Sequence, residues 1–225
     1  MSQETITLRT GQVQQVHILA VTPSGLRVQT ANGEMVEPFA NLAGLSMNPP
    51  PEYTAALAAY ASGDPQRALT LITSIVSNFR GLPTDWARQA MLLQGDLNVA
   101  LGQPSQAEAA YKDFQAVYPA SPSDVLDVGS LGADLAHNDY SAARSKVAPL
   151  LGQALQQRNF PKAAAEEYGR AFYASGRIKE HAGDFPGALE DYLRVVAIFP
   201  QDSGAAIGAQ IAADNLRKSK GVSVQ

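Results

Sequence analysis

Three histidines and two pairs of adjacent acids are the side chains whose chemistry must be weighed first. His17, His137 and His181 lie in separate stretches, and no two share the short spacing with which one element grips a metal. Glu166-Glu167 and Glu190-Asp191 offer paired carboxylates, the equipment of general acid–base catalysis. Neighbours on a helix point about 100° apart, so each pair reads as part of a solvated face and not as a converging site. The chain has no G-x-S-x-G elbow, no G-x-x-x-x-G-K phosphate loop, no G-x-G-x-x-G and no H-E-x-x-H. It has no cysteine, which excludes disulfides, thiol chemistry and cysteine-ligated zinc. The expectation is a protein that is not an enzyme, with no catalytic residue, no metal and no cofactor.

The remaining candidates are aromatic and charged residues at helical spacing. Tyr168, Phe172 and Tyr173 fall on one long helical stretch, where Phe172 reads as core. The frame that must position them is 225 residues long, enough for one large domain or two small ones. Its 45% hydrophobic and 17% charged content is that of a globular chain. A net charge of −4 argues against nucleic acid as a partner, because phosphates call for clustered Lys and Arg. No run of about 18 apolar residues is present, so no transmembrane helix is expected. The first residues, MSQETITLRT, lack a basic and then apolar leader; as it stands the sequence implies a cytoplasmic protein.

Two textures divide the chain. Over residues 4–47, Ile6 and Leu8, then Val16, Ile18 and Ala20, then Leu26, Val28 and Thr30 alternate with polar neighbours, the period of strands with one buried face. Breaks fall at Thr10-Gly11, Pro23-Ser24-Gly25 and Asn32-Gly33, the last predicting a type I′ hairpin. Residues 38–42 predict one helical turn before a strand near Leu45–Met47. Five short strands with one such turn resemble the Sm-like or Src-homology-like small β-barrels. Glu4, Glu34 and Glu37 outnumber Arg9 and Arg27, so that resemblance does not extend to RNA binding. Pro49-Pro50-Pro51 then reads as a stiff linker, with Pro51 suited to a first helical position.

From Glu52 onward, Ala, Leu, Gln and Tyr recur at helical spacing in four helix-pair units. Each unit has a turn residue (Gly63, Gly102, Asn138, Gly183) followed five residues on by alanine (Ala68, Ala107, Ala143, Ala188). Gly95 and Gly176 stand on the first helices of their units, while Tyr111 and Tyr192 stand on the second. Glycine or asparagine at the turn tolerates a left-handed backbone, and the small residues let paired helices approach closely. Pro119 and Pro200 close the second and fourth units. This pattern resembles the tetratricopeptide repeat (TPR), over roughly 170 residues. The alanines are 39, 36 and 45 residues apart instead of a constant 34, with the extra residues placed in 80–85, 119–123 and 156–161. Pro149 predicts a kink or early end in the third unit. Residues 203–218 read as a capping helix with Ser203 as N-cap and Ile207, Ile211 and Leu216 buried, before a fraying end.

The fold class is therefore α+β in two parts: a small five-stranded β-barrel, then an all-α TPR solenoid of about four helix pairs with a capping helix. The divisions are 1–48 barrel, 49–51 linker, 52–218 solenoid and 219–225 flexible tail. The resemblance implies a concave groove lined by Leu92, Asp96 and Val99 of the second unit, Val128 of the third, and Tyr173, Arg177 and Glu180 of the fourth. The first unit has Tyr53 and Leu57 on that face, so the Lys, Asn and Arg set of chaperone-tail adaptors is missing. The resemblance also implies a protein or peptide partner and a scaffold or adaptor role. Residues 111–122, YKDFQAVYPASP, are similar to bacterial envelope TPR proteins, including lipoprotein partners of outer-membrane assembly and of the Tol–Pal division machinery. That similarity implies a periplasmic or envelope location if a leader was trimmed. The alternative is a self-assembling structural homo-oligomer that uses the solenoid end or the barrel edge; an enzyme or carbohydrate-binding module ranks last.

Overall fold

The structure, a computed structural model, describes residues 4–119, 126–154, 156 and 164–223. Strands β1 (Glu4–Leu8), β2 (Val13–Thr22), β3 (Gly25–Thr30), β4 (Gly33–Pro38) and β5 (Leu42–Ser46) form one antiparallel sheet in the order β4-β3-β2-β1-β5. Ile6, Val16, Ile18, Leu26 and Val28 supply its buried face, as the alternation requires. A bulge between Ile18 and Ala20 shifts the register and leaves Ala20 only half-buried. The helical turn Phe39–Asn41 is a single 3-10 turn that leads into β5. Among the described residues β4 pairs only with β3 and β5 only with β1, so the sheet is open by hydrogen bonding, whereas a barrel was expected. The β3–β4 hairpin turns through residues 31 and 32, and Gly33 alone is left-handed (φ 117°). It is therefore not the expected type I′ turn, which needs positive φ at both central residues.

The helices are α1 (Pro51–Ala61), α2 (Pro65–Phe79), α3 (Asp85–Ala100), α4 (Pro104–Val117), α5 (Val128–Ala136), α6 (Tyr140–Ala154), α7 (Ala165–His181), α8 (Phe185–Ile198) and α9 (Ser203–Lys220). All four intra-repeat turns share one chemistry. Gly63, Gly102, Asn138 and Gly183 have φ of 84°, 67°, 58° and 82°. The next residue's amide reaches back five positions, as from Asp64 to the Ala59 carbonyl and from Asp184 to that of Lys179. Asp64, Asp139 and Asp184 then cap the following helix by accepting from the amide three residues on. Ala68, Ala107, Ala143 and Ala188 are fully buried, as their small size requires.

Four local expectations need correction. The early end expected as one outcome at Pro149 does not occur: α6 runs on to Ala154, the proline sitting on an exposed face where its absent N–H strands nothing buried. Asp202, not Ser203, is the N-cap of α9, accepting from the Ala205 amide at 2.9 Å. The α9 helix continues to Lys220 and ends on left-handed Gly221 (φ 64°), where fraying was expected from Lys218. Gly204, Ala205, Gly208, Ala209, Ala213 and Leu216 form its buried stripe, while Ile207 and Ile211 are only partly covered. The long connections expected in 119–123 and 156–161 lie almost wholly outside the described residues.

The small stripe on α9 is explained by where that helix goes. It packs on α7 and α8, as a cap would, but it also touches α1 and α3. The first helices of the repeats thus close into a tight ring, with α9 seated between the ring's beginning and its end. A β-carbon on Gly204 would lie 2.8 Å from Asp96 Oδ2, and one on Gly208 2.9 Å from the Tyr173 hydroxyl oxygen. Only glycine permits both approaches.

Strand β2 packs on α2, and the residue after β5 meets the helices at Trp86, whose indole N–H donates to the Met47 carbonyl at 3.1 Å. Its ring packs against Tyr53 and edge-on against Phe79. Deleting residues 1–48 is therefore expected to lower the melting temperature of the helical remainder, by about 2–4 °C for each kcal/mol that this junction contributes. A differential scanning calorimetry midpoint that did not move would instead mean two independently stable parts.

Candidate functional site

Arg170 on α7 is the electrostatic centre of the ring. Its side chain is 5% exposed, with Nη1 2.8 Å and Nη2 2.9 Å from the two oxygens of Asp96 on α3, while Nε lies 2.5 Å from Asp202 Oδ2. Asp96 also accepts from the Tyr111 hydroxyl at 2.7 Å, so both of its oxygens are engaged. Beside this cluster Arg88 holds Glu166, whose carboxyl burial pushes above the ordinary value, with Asp202 adding to the shift. A second cluster gathers Ser175, Lys179 and Arg194 on Asp191, which is 1% exposed. Three of the four adjacent acids therefore leave the solvated face expected of them: Glu166 is paired, and Glu167 and Asp191 are buried, while Glu190 is exposed as expected. Nothing in the sequence announces that Glu166 of α7 meets Arg88 of α3, or that Asp191 of α8 faces Ser175 and Lys179 of α7.

Next to Arg170 a cavity of about 390 Å³ opens between α1, α3, α7 and α9. Asp96, Val99, Tyr173, Arg177 and Glu180 all line it, so the structure brings five of the seven candidate residues together. Leu92 and Val128 are buried in the core, 0% and 4% exposed, and do not reach it. On α1 the lining residue is Tyr60, whereas Tyr53 lies outside the lining and donates to Gln89. Gly208, Ile211 and Asn215 of α9 complete the walls. They were missed because a helix read only as a cap was not expected to cross the ring; the glycines at 204 and 208 were the available signal.

The polar groups in this cavity divide sharply. Burial raises the phenol of Tyr60 in the cavity wall, and those of Tyr111 and Tyr192 outside its lining, well above their ordinary value, so all three are neutral at any physiological pH. Tyr192 donates to Glu180 Oε2 at 2.7 Å. Arg177 is half-buried, and its guanidinium meets the Tyr173 hydroxyl. Burial opposes its charge, and the surrounding tyrosine oxygens outweigh that effect. The histidines stay apart: His17 meets Glu4 at 3.2 Å, His137 meets Glu108 at 2.9 Å, and His181 stacks on Tyr140. Among the described residues no three His, Asp or Glu side chains converge as metal ligands. The cavity wall is mixed: Tyr60, Asp96, Arg177, Glu180 and Asn215 bring polar groups from all four helices beside Val99, Ile211 and Ala212.

Left-handed turns, buried alanines and glycine-facing tyrosines thus recur from unit to unit. Residues 53–125 match the tetratricopeptide-repeat family. That match starts in α1 and runs past the end of α4, and the later helix pairs repeat the same TPR-like turn and small–large contacts. The chain gives no significant match to any curated protein or solved structure. TPR repeats are protein-interaction modules, and no described helix is long and apolar enough to cross a membrane.

Proposed function

We propose that this protein is a non-enzymatic scaffold that binds a protein or peptide partner at the mouth of the cavity between α1, α3, α7 and α9. The observation that carries this reading is the convergence of Val99, Tyr173, Arg177 and Glu180 from two repeats on one partly open, mixed surface. TPR repeats generally serve such interactions, and the similarity of residues 111–122 to envelope TPR proteins supports an envelope assembly as the setting. In that setting the protein is periplasmic or envelope-associated.

The test is affinity capture from native-host extract with wild type and a Tyr173→Ala, Arg177→Glu double variant, both folded by circular dichroism. A partner identified by mass spectrometry and lost from the variant is the expected result. Recovery of the same partner with both baits would remove the cavity from consideration. One observation favours self-assembly as a second reading: edge strand β4 exposes Met35 and Val36, with Phe39 beside them. Light scattering after size exclusion decides it, since a Val36→Lys variant should dissociate an oligomer built on that edge.

A further inference from the structure

Among the described residues the half-buried and buried cations follow a rule with one exception. Arg88 is held by Glu166, Arg170 by Asp96 and Asp202, Lys146 by Asp134, Lys179 by Asp191, and Arg194 by Glu190 and Asp191. Among the described residues, Arg177 is the only buried or half-buried Lys or Arg that lacks a carboxylate partner. Glu180 lines the same cavity three residues on, yet it turns one oxygen to Tyr192 and forms no ion pair with Arg177. Around Arg177 only neutral tyrosine oxygens, that of Tyr173 first, take the place of a counter-charge, and native structures seldom retain a half-buried guanidinium in that state without a use for it.

We infer that Arg177 is a receptor for a carboxylate, presented by an acidic side chain of the partner with apolar residues on either side. The inference rests on the interaction role proposed above and adds the chemistry of what is bound. A planar guanidinium donates two parallel hydrogen bonds to a carboxylate, and the Tyr60 and Asn215 side chains stand within the same cavity. Val99, Ile211 and Ala212 give the mouth its apolar walls, which suit the neighbours of that side chain. Charge narrows the ligand further. Asp96 and Glu180 also line the cavity, and they repel a phosphate dianion more strongly than a single carboxylate. The volume, about 390 Å³, lies near the lower end of ligand pockets, which admits a side chain and not a folded segment.

The experiment is calorimetric titration of the full chain with the peptide acetyl-Ala-Leu-Glu-Leu-Ala-amide, its Glu-to-Gln counterpart, and 4-methylpentanoate as a free acid. Wild type should bind the Glu peptide at least about tenfold more tightly than the Gln peptide, as charge-assisted hydrogen bonds imply. Arg177→Met should lose that preference, and Arg177→Lys, which keeps the charge without the fork, should recover only part of it. The lysine variant also carries the test if the methionine variant does not fold. Equal binding of the two peptides by wild type, no binding of either, or an undiminished preference in Arg177→Met would each overturn the assignment. Binding of 4-methylpentanoate with neither peptide bound would overturn the side-chain source in favour of a free acid. A partner captured from extract that is lost with Tyr173→Ala but kept with Arg177→Met would leave the interaction role standing and reject the carboxylate alone.

Discussion

Replacing Arg170 with methionine is expected to destabilise the protein by about 3–5 kcal/mol, towards the upper end of that range. The side chain neutralises two buried carboxylates at once, Asp96 at 9% and Asp202 at 1% exposure. Methionine has comparable length and leaves no large void, so the loss is electrostatic: two carboxylates remain in a poorly solvated interior with their strongest donors gone. Asp202 also caps α9, and Asp96 receives the Tyr111 hydroxyl, so the damage spreads to the α9 seat and to the packing between repeats. Urea unfolding of wild type and variant gives the difference directly. Adding Asp96→Asn and Asp202→Asn to Arg170→Met should recover a substantial part of it, because the amides remove the stranded charge and Asn still caps a helix. A loss below about 1 kcal/mol in the single variant would show that water reaches this cluster and that it does not hold the ring closed.

The parts of this architecture legible in the sequence are those fixed by local chemistry. A turn that requires positive φ announces itself as Gly63, Gly102, Asn138 or Gly183, and each takes that conformation. Strand alternation marks Ile6, Ile18, Leu26 and Val28 as buried because the pleat allows no other assignment. Closure is a different matter. Whether a solenoid stays open or curls until its last helix meets its first depends on small angles summed over units and on connections whose lengths here vary. Arg170, Asp96 and Asp202 are separated by up to 106 positions, and no spacing rule joins them. The candidate site was therefore half readable. The residues on α7 and the end of α3 follow from repeat position, but Tyr60 and the α9 wall follow only from the closure. Leu92 lies wholly in the core, and Val128 lines a separate cavity with Arg88 and Phe114.

The second large effect lies at Tyr111, where truncation to alanine should cost about 3–5 kcal/mol. The ring is 2% exposed and lies between glycines of two successive units: a β-carbon on Gly95 or on Gly132 would stand 2.5 Å from its Cε1 atom. Neither glycine can yield to fill the space, since both are held in helices that pack elsewhere, so a cavity of nearly full side-chain size should persist. Gly132→Ala tests the same packing from the other side. Alanine gains about 1 kcal/mol of helix propensity, but the clash with a ring that has nowhere to move should outweigh this and leave a net loss. Tyr111→Phe keeps the volume and removes only the hydrogen bond to Asp96, for a loss of about 1.5–3 kcal/mol. The pair Tyr111→Leu with Gly132→Ala should cost less than the sum of its parts, because the smaller side chain makes room for the added methyl. Strict additivity in that cycle, measured by chemical denaturation, would mean that Tyr111 and Gly132 do not touch. The repeats would then be held together by their turns and alanines, without the tyrosine that joins one unit to the next.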